Sequence, residues 1–142
     1  MNMKKNVIQT LISLTVIIGI CSCTTSPKKT IQKEEATGKW VKYENNPVLG
    51  GGDLGTVFDI CVLKDSDSYK MYSSWRPQKS IALSTSKDGK NWSAPQIVLP
   101  PVEGSSWEAD MNRPVVVYKD GLYHMWYTGQ NDGKSWIGYC LL

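Results

Sequence analysis

The sequence predicts an all-β fold assembled from β-propeller blades, and three observations predict it. No long stretch repeats apolar residues at helical spacing; short β-rich runs alternate with turn signals instead. One group of runs occurs twice in the same order, about 55 residues apart, a blade-sized period. Each copy holds three short strands and a tight turn, the content of one blade. The first copy occupies residues 61–65, 69–74 and 80–84; the second occupies residues 116–120, 123–128 and 136–140.

Taken in order, residues 56–64 form the first predicted strand, turned by Asp65-Ser66-Asp67-Ser68. Residues 69–75 follow, with Tyr69, Met71 and Ser73 on one face and Lys70, Tyr72 and Ser74 on the other. Residues 80–86 form the third strand, closed by Asp88-Gly89, and residues 96–99 form a short outer strand ended by Pro100-Pro101. The second copy repeats the order with residues 114–119, an Asp120-Gly121 hairpin turn, residues 122–128, a glycine-containing turn and residues 135–140. That copy reaches Leu142 before its own Ser-x-Asp-Gly-x-x-Trp turn recurs, so the sequence reads as the front of a longer ring. Two blades cannot close a ring, and they leave strand edges and one sheet face uncovered. The glycines at 50–52 are not a phosphate loop, because no Lys-Ser/Thr pair and no helix pattern follows them.

The N-terminus reads as an address rather than as fold. Lys4 and Lys5 precede a mostly apolar run, residues 7–20, which is short for a membrane span and suits the apolar region of a signal peptide. It ends in Ile20-Cys21-Ser22-Cys23, which resembles a bacterial lipobox with Ser22 before the cleavage point and Cys23 as the lipidated residue. The expected organisation is a lipoprotein signal peptide over residues 1–22, a polar tether over residues 23–39 and the blade domain over residues 40–142. The expected location is outside the cytoplasm, lipid-anchored to a bacterial membrane, on the outer membrane or the periplasmic face. Cleavage without lipidation, releasing a secreted protein, is the alternative.

The formal net charge is +3, and loss of Lys4 and Lys5 with the signal leaves it near +1. No Lys/Arg cluster stands in the blade region, so nucleic acid is not an expected partner. Cys61 and Cys140 are the cysteines of the blade region; export permits a disulfide, and free buried thiols are the other reading. No CxxC or His/Cys cluster suggests zinc.

A set of motifs carries a family resemblance. It comprises Asn46-Pro47-Val48-Leu49, the run from Asp59 to Lys64, Tyr69-x-Met71-Tyr72 and Ser84-x-Ser86-x-Asp88-Gly89-x-x-Trp92. Arg113-Pro114-Val115-Val116 and the run from Tyr123 to Gly129 complete it. Together these resemble the five-bladed propeller glycoside hydrolases, families 43, 32, 62, 68, 117 and 130 among them. The resemblance implies about two of five blades, a carbohydrate substrate and no organic cofactor; calcium, held at the axis of some relatives, is left open.

The resemblance also implies roles. An Asp at the start of the first blade's inner strand is the general base of this group, or its nucleophile in retaining members, and Asp59 holds that place. The residue after it is Ile60 where relatives often carry Pro, and a turn-capping Asp is the competing reading. Alignment on Pro114-Val115-Val116 sets Val115 where a second Asp would stand, so that carboxylate is absent or displaced to Asp110. Arg113 is a candidate for binding a hydroxyl or carboxylate and Trp107 for stacking on a sugar. Glu108 and Asp110 accompany them, and Trp75 and Arg76 reach the substrate from the loop after the second strand. The general acid of the resembled group is a Glu from a later blade, so this chain alone is expected to be inactive. His124 alternates with Met125 along a strand and reads as packing. Two rival functions stay open: a non-catalytic carbohydrate-binding lipoprotein using Trp75, Trp107, Trp126 and Trp136, and a family 130-type phosphorylase with Arg76 and Arg113 at a phosphate.

Overall fold

The computed structural model describes residues 38–142. The expected signal peptide, Cys23 and nearly all of the tether lie outside the described residues. Val41–Leu142 forms one compact unit.

Two antiparallel sheets make up the fold. The first holds β1 (Val57–Asp65), β2 (Ser68–Trp75), β3 (Ser80–Ser86) and β4 (Gln96–Leu99), in that spatial order. The second holds β5 (Asp110–Lys119), β6 (Leu122–Asn131) and β7 (Lys134–Leu141). Each is a meander of hairpin-connected neighbours, as in a propeller blade, and the described residues form no closed ring. The all-β, blade-built fold is as the sequence predicts.

The turn chemistry fixes the hairpins. Asp120-Gly121 and Asp132-Gly133 both have positive φ at each residue, the conformation of a two-residue hairpin loop that Asp-Gly adopts readily. They join the pairs Lys119↔Leu122 and Asn131↔Lys134. The β1–β2 turn is Ser66-Asp67, closed by Asp65↔Ser68. This register makes Asp65 equivalent to Lys119, whereas the sequence comparison set Asp65 against Asp120. The two repeats are therefore related by one residue less, and Arg113, not Pro114, takes the place of Asp59.

β5 starts at Asp110, four residues before the sequence predicts, and β6 runs on to Asn131. A β-bulge between Asn112 and Val115 explains the difference. Proline has no N–H for the ladder, but a bulge leaves its extra residue unpaired, so the strand runs through Pro114.

The sheets pack face to face. Tyr72 and Ile81 of the first sheet meet Met111, Val116, Met125 and Tyr127 of the second, with Leu63, Leu83 and Leu99 around them. β5 lies against β1 and β2. The Val116 amide donates to the Cys61 sulfur at 3.2 Å, and both Cys61 and Cys140 are free thiols, which removes the disulfide alternative. On the other face of the second sheet Val115, Trp126 and Tyr139 form one cross-strand row and are exposed.

After β3 the chain folds as the Ser-x-Asp-Gly-x-x-Trp pattern requires. Asp88 Oδ1 accepts the amides of Lys90 at 2.9 Å and Asn91 at 2.8 Å, while Ser86 Oγ accepts the Gly89 amide at 2.9 Å. Those donors, Asn91 first, hold the Asp88 carboxyl well below the usual carboxylate range.

Candidate active site

Strand direction alternates, so the starts of β1 and β5 share one end with the β2–β3 connection and with the connection before β5. At that end both inner strands carry the same irregularity. Asp59 is the extra residue between the pairs Phe58↔Ser74 and Ile60↔Ser73, with φ of 45°. Arg113 lies in the bulge between Asn112↔Thr128 and Val115↔Trp126, with φ of 53°. A non-glycine residue held in the left-handed region costs on the order of 1–3 kcal/mol, and such strain concentrates at functional sites. Here it releases two charged side chains from the ladder at the head of adjacent sheets.

Ser74 ties the bulges together. It pairs with Phe58 within the first sheet, and its fully buried hydroxyl accepts the Arg113 amide at 2.8 Å. The charges then meet: Arg113 Nε lies 3.5 Å from Asp59 Oδ2. The Asp59 side chain is 37% exposed and that of Arg113 56%, so water screens the pair and it is worth about 0–1 kcal/mol. A pair held this loosely remains open to a ligand that offers either partner better hydrogen bonds.

A second ion pair flanks the first. Arg76, in the single turn Arg76–Gln78, places Nη1 3.3 Å from Asp110 Oδ2, and its guanidinium stacks over Phe58 at 4.8 Å. Buried Asn112 donates to Asp110 Oδ1 at 3.0 Å and to Gln130 Oε1 at 2.7 Å, which orients the carboxylate. Asp59, Arg76, Asp110 and Arg113 thus form one polar cluster. Trp75 stands beside it, but its indole N–H is occupied by the Leu54 carbonyl at 2.8 Å. That bond anchors the glycine segment, and Gly55 must lack a side chain because a Cβ there would stand 2.8 Å from Pro77.

Trp107 and Glu108 are engaged elsewhere. The Trp107 ring stacks on Tyr127 with centroids 6.1 Å apart, and Glu108 Oε1 accepts the Tyr127 hydroxyl at 2.7 Å. Burial first, and this hydrogen bond second, push the Tyr127 phenol well above its ordinary range. His124 bonds the Tyr139 hydroxyl at 2.9 Å and stacks near Trp126. Sequence reasoning missed Ser74, Asn112 and Gln130, which are polar residues without a motif; Pro following a polar pair at Arg113-Pro114 was the one available sign of a bulge. Among the described residues no group of three His, Cys, Asp or Glu side chains is placed to hold a metal.

Comparison with solved structures decides the fold. A GH43 endo-arabinanase from Bacillus licheniformis superposes with a TM-score of 0.51 at 24% identity, over 66% of this chain and 34% of that one. A structure described as a glycoside hydrolase superposes with a TM-score of 0.56 at 24% identity, over 72% of this chain and 32% of that one. The fold is that of the propeller glycoside hydrolases. A third propeller glycoside-hydrolase structure, BT0996 in an RGII complex, has a TM-score of 0.56 at 23% identity, with 72% of this chain and 32% of that one covered. The chain spans about a third of the length of these propeller structures. No protein-family model matches it, and no curated protein is similar to it.

Proposed function

We propose that this chain forms part of an exported propeller that hydrolyses glycosidic bonds, with Asp59 as the carboxylate acting at the anomeric carbon. One observation carries the proposal: a bulge lifts Asp59 out of strand pairing at the head of the innermost strand, beside Arg113 in the equivalent bulge. Fold neighbours that are glycoside hydrolases, one of them an endo-arabinanase, support a carbohydrate as the substrate class. In this reading Arg113 orients Asp59 Oδ2, and Asp59 activates water or attacks the sugar directly. Arg76 and Asp110 bind hydroxyls from the side. Hydrolysis needs a second carboxylate, about 5–5.5 Å away for retention or about 6.5–9.5 Å for inversion. That acid is assigned to another blade, so the 142-residue chain taken alone binds without turnover.

The test is turnover of a panel of aryl arabinosides, xylosides, galactosides and mannosides by the full-length protein expressed to its natural stop codon. Asp59→Asn should lower kcat by about 10²–10⁴-fold, the range for loss of a general base, with little change in KM. No turnover of any glycoside, or unchanged kcat in the variant, overturns the assignment. Export and anchoring at Cys23 belong to the same proposal. Metabolic labelling with palmitate should mark the protein and be lost in Cys23→Ala; an unlabelled wild-type protein refutes the anchor.

A further inference from the structure

A second site stands at the same end, on the outer part of the second sheet. The β6–β7 hairpin and the connection before β5 enclose a groove of about 550 Å³, within the usual size of small-molecule sites. Trp107 and Trp136 line it, with Asn131, Asp132 and Lys134 also on its lining.

Its aromatic wall is built rather than incidental. Gly129 has no side chain, and a Cβ there would stand 2.7 Å from the Trp107 carbonyl oxygen and 2.8 Å from its ring. Trp107 therefore seats against β6, clamped from one side by its stacking on Tyr127. Trp136 pairs with Gly129 across the β6–β7 ladder and is 39% exposed. One indole is fixed and its neighbour on the outer strand is accessible. Among the polar groups, Asn131 Nδ2 is committed to the Ser105 carbonyl at 3.0 Å, which leaves its Oδ1 as an acceptor. Asp132 and Lys134 are exposed, and among the described residues neither takes part in an ion pair.

An indole surface beside two acceptors and one cationic donor fits a particular chemistry. A pyranose ring offers a flat apolar face of axial C–H bonds and a rim of hydroxyls that both donate and accept. A nucleic acid needs positive charge along its backbone, and Asp132 opposes that. A lipid chain gains nothing from three polar groups. We propose that the groove is a second carbohydrate-binding site, taking a pyranose oligosaccharide whose ring stacks on Trp136 while Asn131, Asp132 and Lys134 hold its hydroxyls. A shallower depression lined by Asp110, Gln130, Asn131 and Asp132 connects it with the polar cluster around Asp59. The groove thus receives a distal stretch of a glycan whose cleaved bond lies at Asp59; that link rests on the glycosidase reading, whereas binding itself does not.

The experiment titrates the full 142-residue chain with xylohexaose, cellohexaose and mannohexaose, followed by calorimetry and tryptophan fluorescence. At least one hexaose binds; Trp136→Ala weakens it by about tenfold or more, and Trp136→Tyr restores most of the loss. Asp59→Asn leaves this affinity unchanged. If circular dichroism shows Trp136→Ala to be unfolded, the double variant Asp132→Asn, Lys134→Ala replaces it, with the same tenfold loss expected. Absence of binding to all three probes, or wild-type affinity in the folded groove variants, overturns the proposal. Binding that is lost in Asp59→Asn but kept in Trp136→Ala removes the groove while leaving a carbohydrate site at Asp59.

Discussion

The Gly138→Val chain is expected not to reach the native fold. Gly138 lies on β7 beneath the ring of Tyr127, and the two are already in contact at the limit. A Cβ at 138 would overlap the Tyr127 ring carbons and stand 2.6 Å from its hydroxyl oxygen. The ring has nowhere to go. Trp107 stacks on it, Glu108 holds its hydroxyl at 2.7 Å, and the residue is 6% exposed. Overpacking alone costs about 1–3 kcal/mol. Breaking the Glu108 bond to make room strands a buried hydroxyl, at about 1–3 kcal/mol more. Against the roughly 5–15 kcal/mol that separates folded from unfolded in ordinary domains, this removes much or all of the margin. Urea denaturation followed by tryptophan fluorescence should show no cooperative transition for Gly138→Val and a lowered midpoint for Gly138→Ala. A wild-type midpoint in the valine variant would show that Tyr127 is not clamped.

Tyr72→Ala is expected to cost about 3–5 kcal/mol, the range for truncating a buried large side chain. Tyr72 is 2% exposed and stands between Cys61 and Leu83 in the row that faces the second sheet. Its burial pushes the phenol above its ordinary range, as expected of a ring taken out of water. Because the row packs on Val116 and Met125, the cavity opens between the sheets, where neither can collapse alone. The measurement is the shift in urea midpoint at constant slope. A loss below about 1 kcal/mol would mean that the sheets are not held by this layer.

Strand content was legible because its cues are local. β3 and β4 fall on the predicted residues, since a continuous β-rich run bounded by turn residues has few alternatives. The Asp120-Gly121 turn was legible for the same reason. β5 was not: residues 110–113 are polar and precede a proline, and only pairing with β6 makes them strand. The comparison of repeats slipped by one residue because Asp65-Ser66-Asp67-Ser68 contains two aspartates, either of which can be matched to Asp120. Register is set by which residues pair across the hairpin, and that is a property of two strands together.

The site was legible in its residue types and less so in its connections. Asp59, Arg76, Asp110 and Arg113 were singled out as charged residues at strand ends, and the fold gathers them. That Asp59 faces Arg113, and Arg76 faces Asp110, depends on Ser74 and Asn112 crossing between strands and sheets. Trp107 and Glu108 carried the same type of signal, yet both are tied to Tyr127 by contacts that no local pattern encodes.

The paired bulges have a consequence for how such a protein changes over generations. In each repeat one residue is excused from strand pairing and aimed at the common end. One repeat fills that place with an acid and the other with a base, while the strands on either side keep their register. Duplicating a repeat therefore copies an empty address along with the scaffold. A single codon at that address exchanges an acid, a base or a neutral group at the ring's mouth, and the sheet that presents it is inherited unaltered.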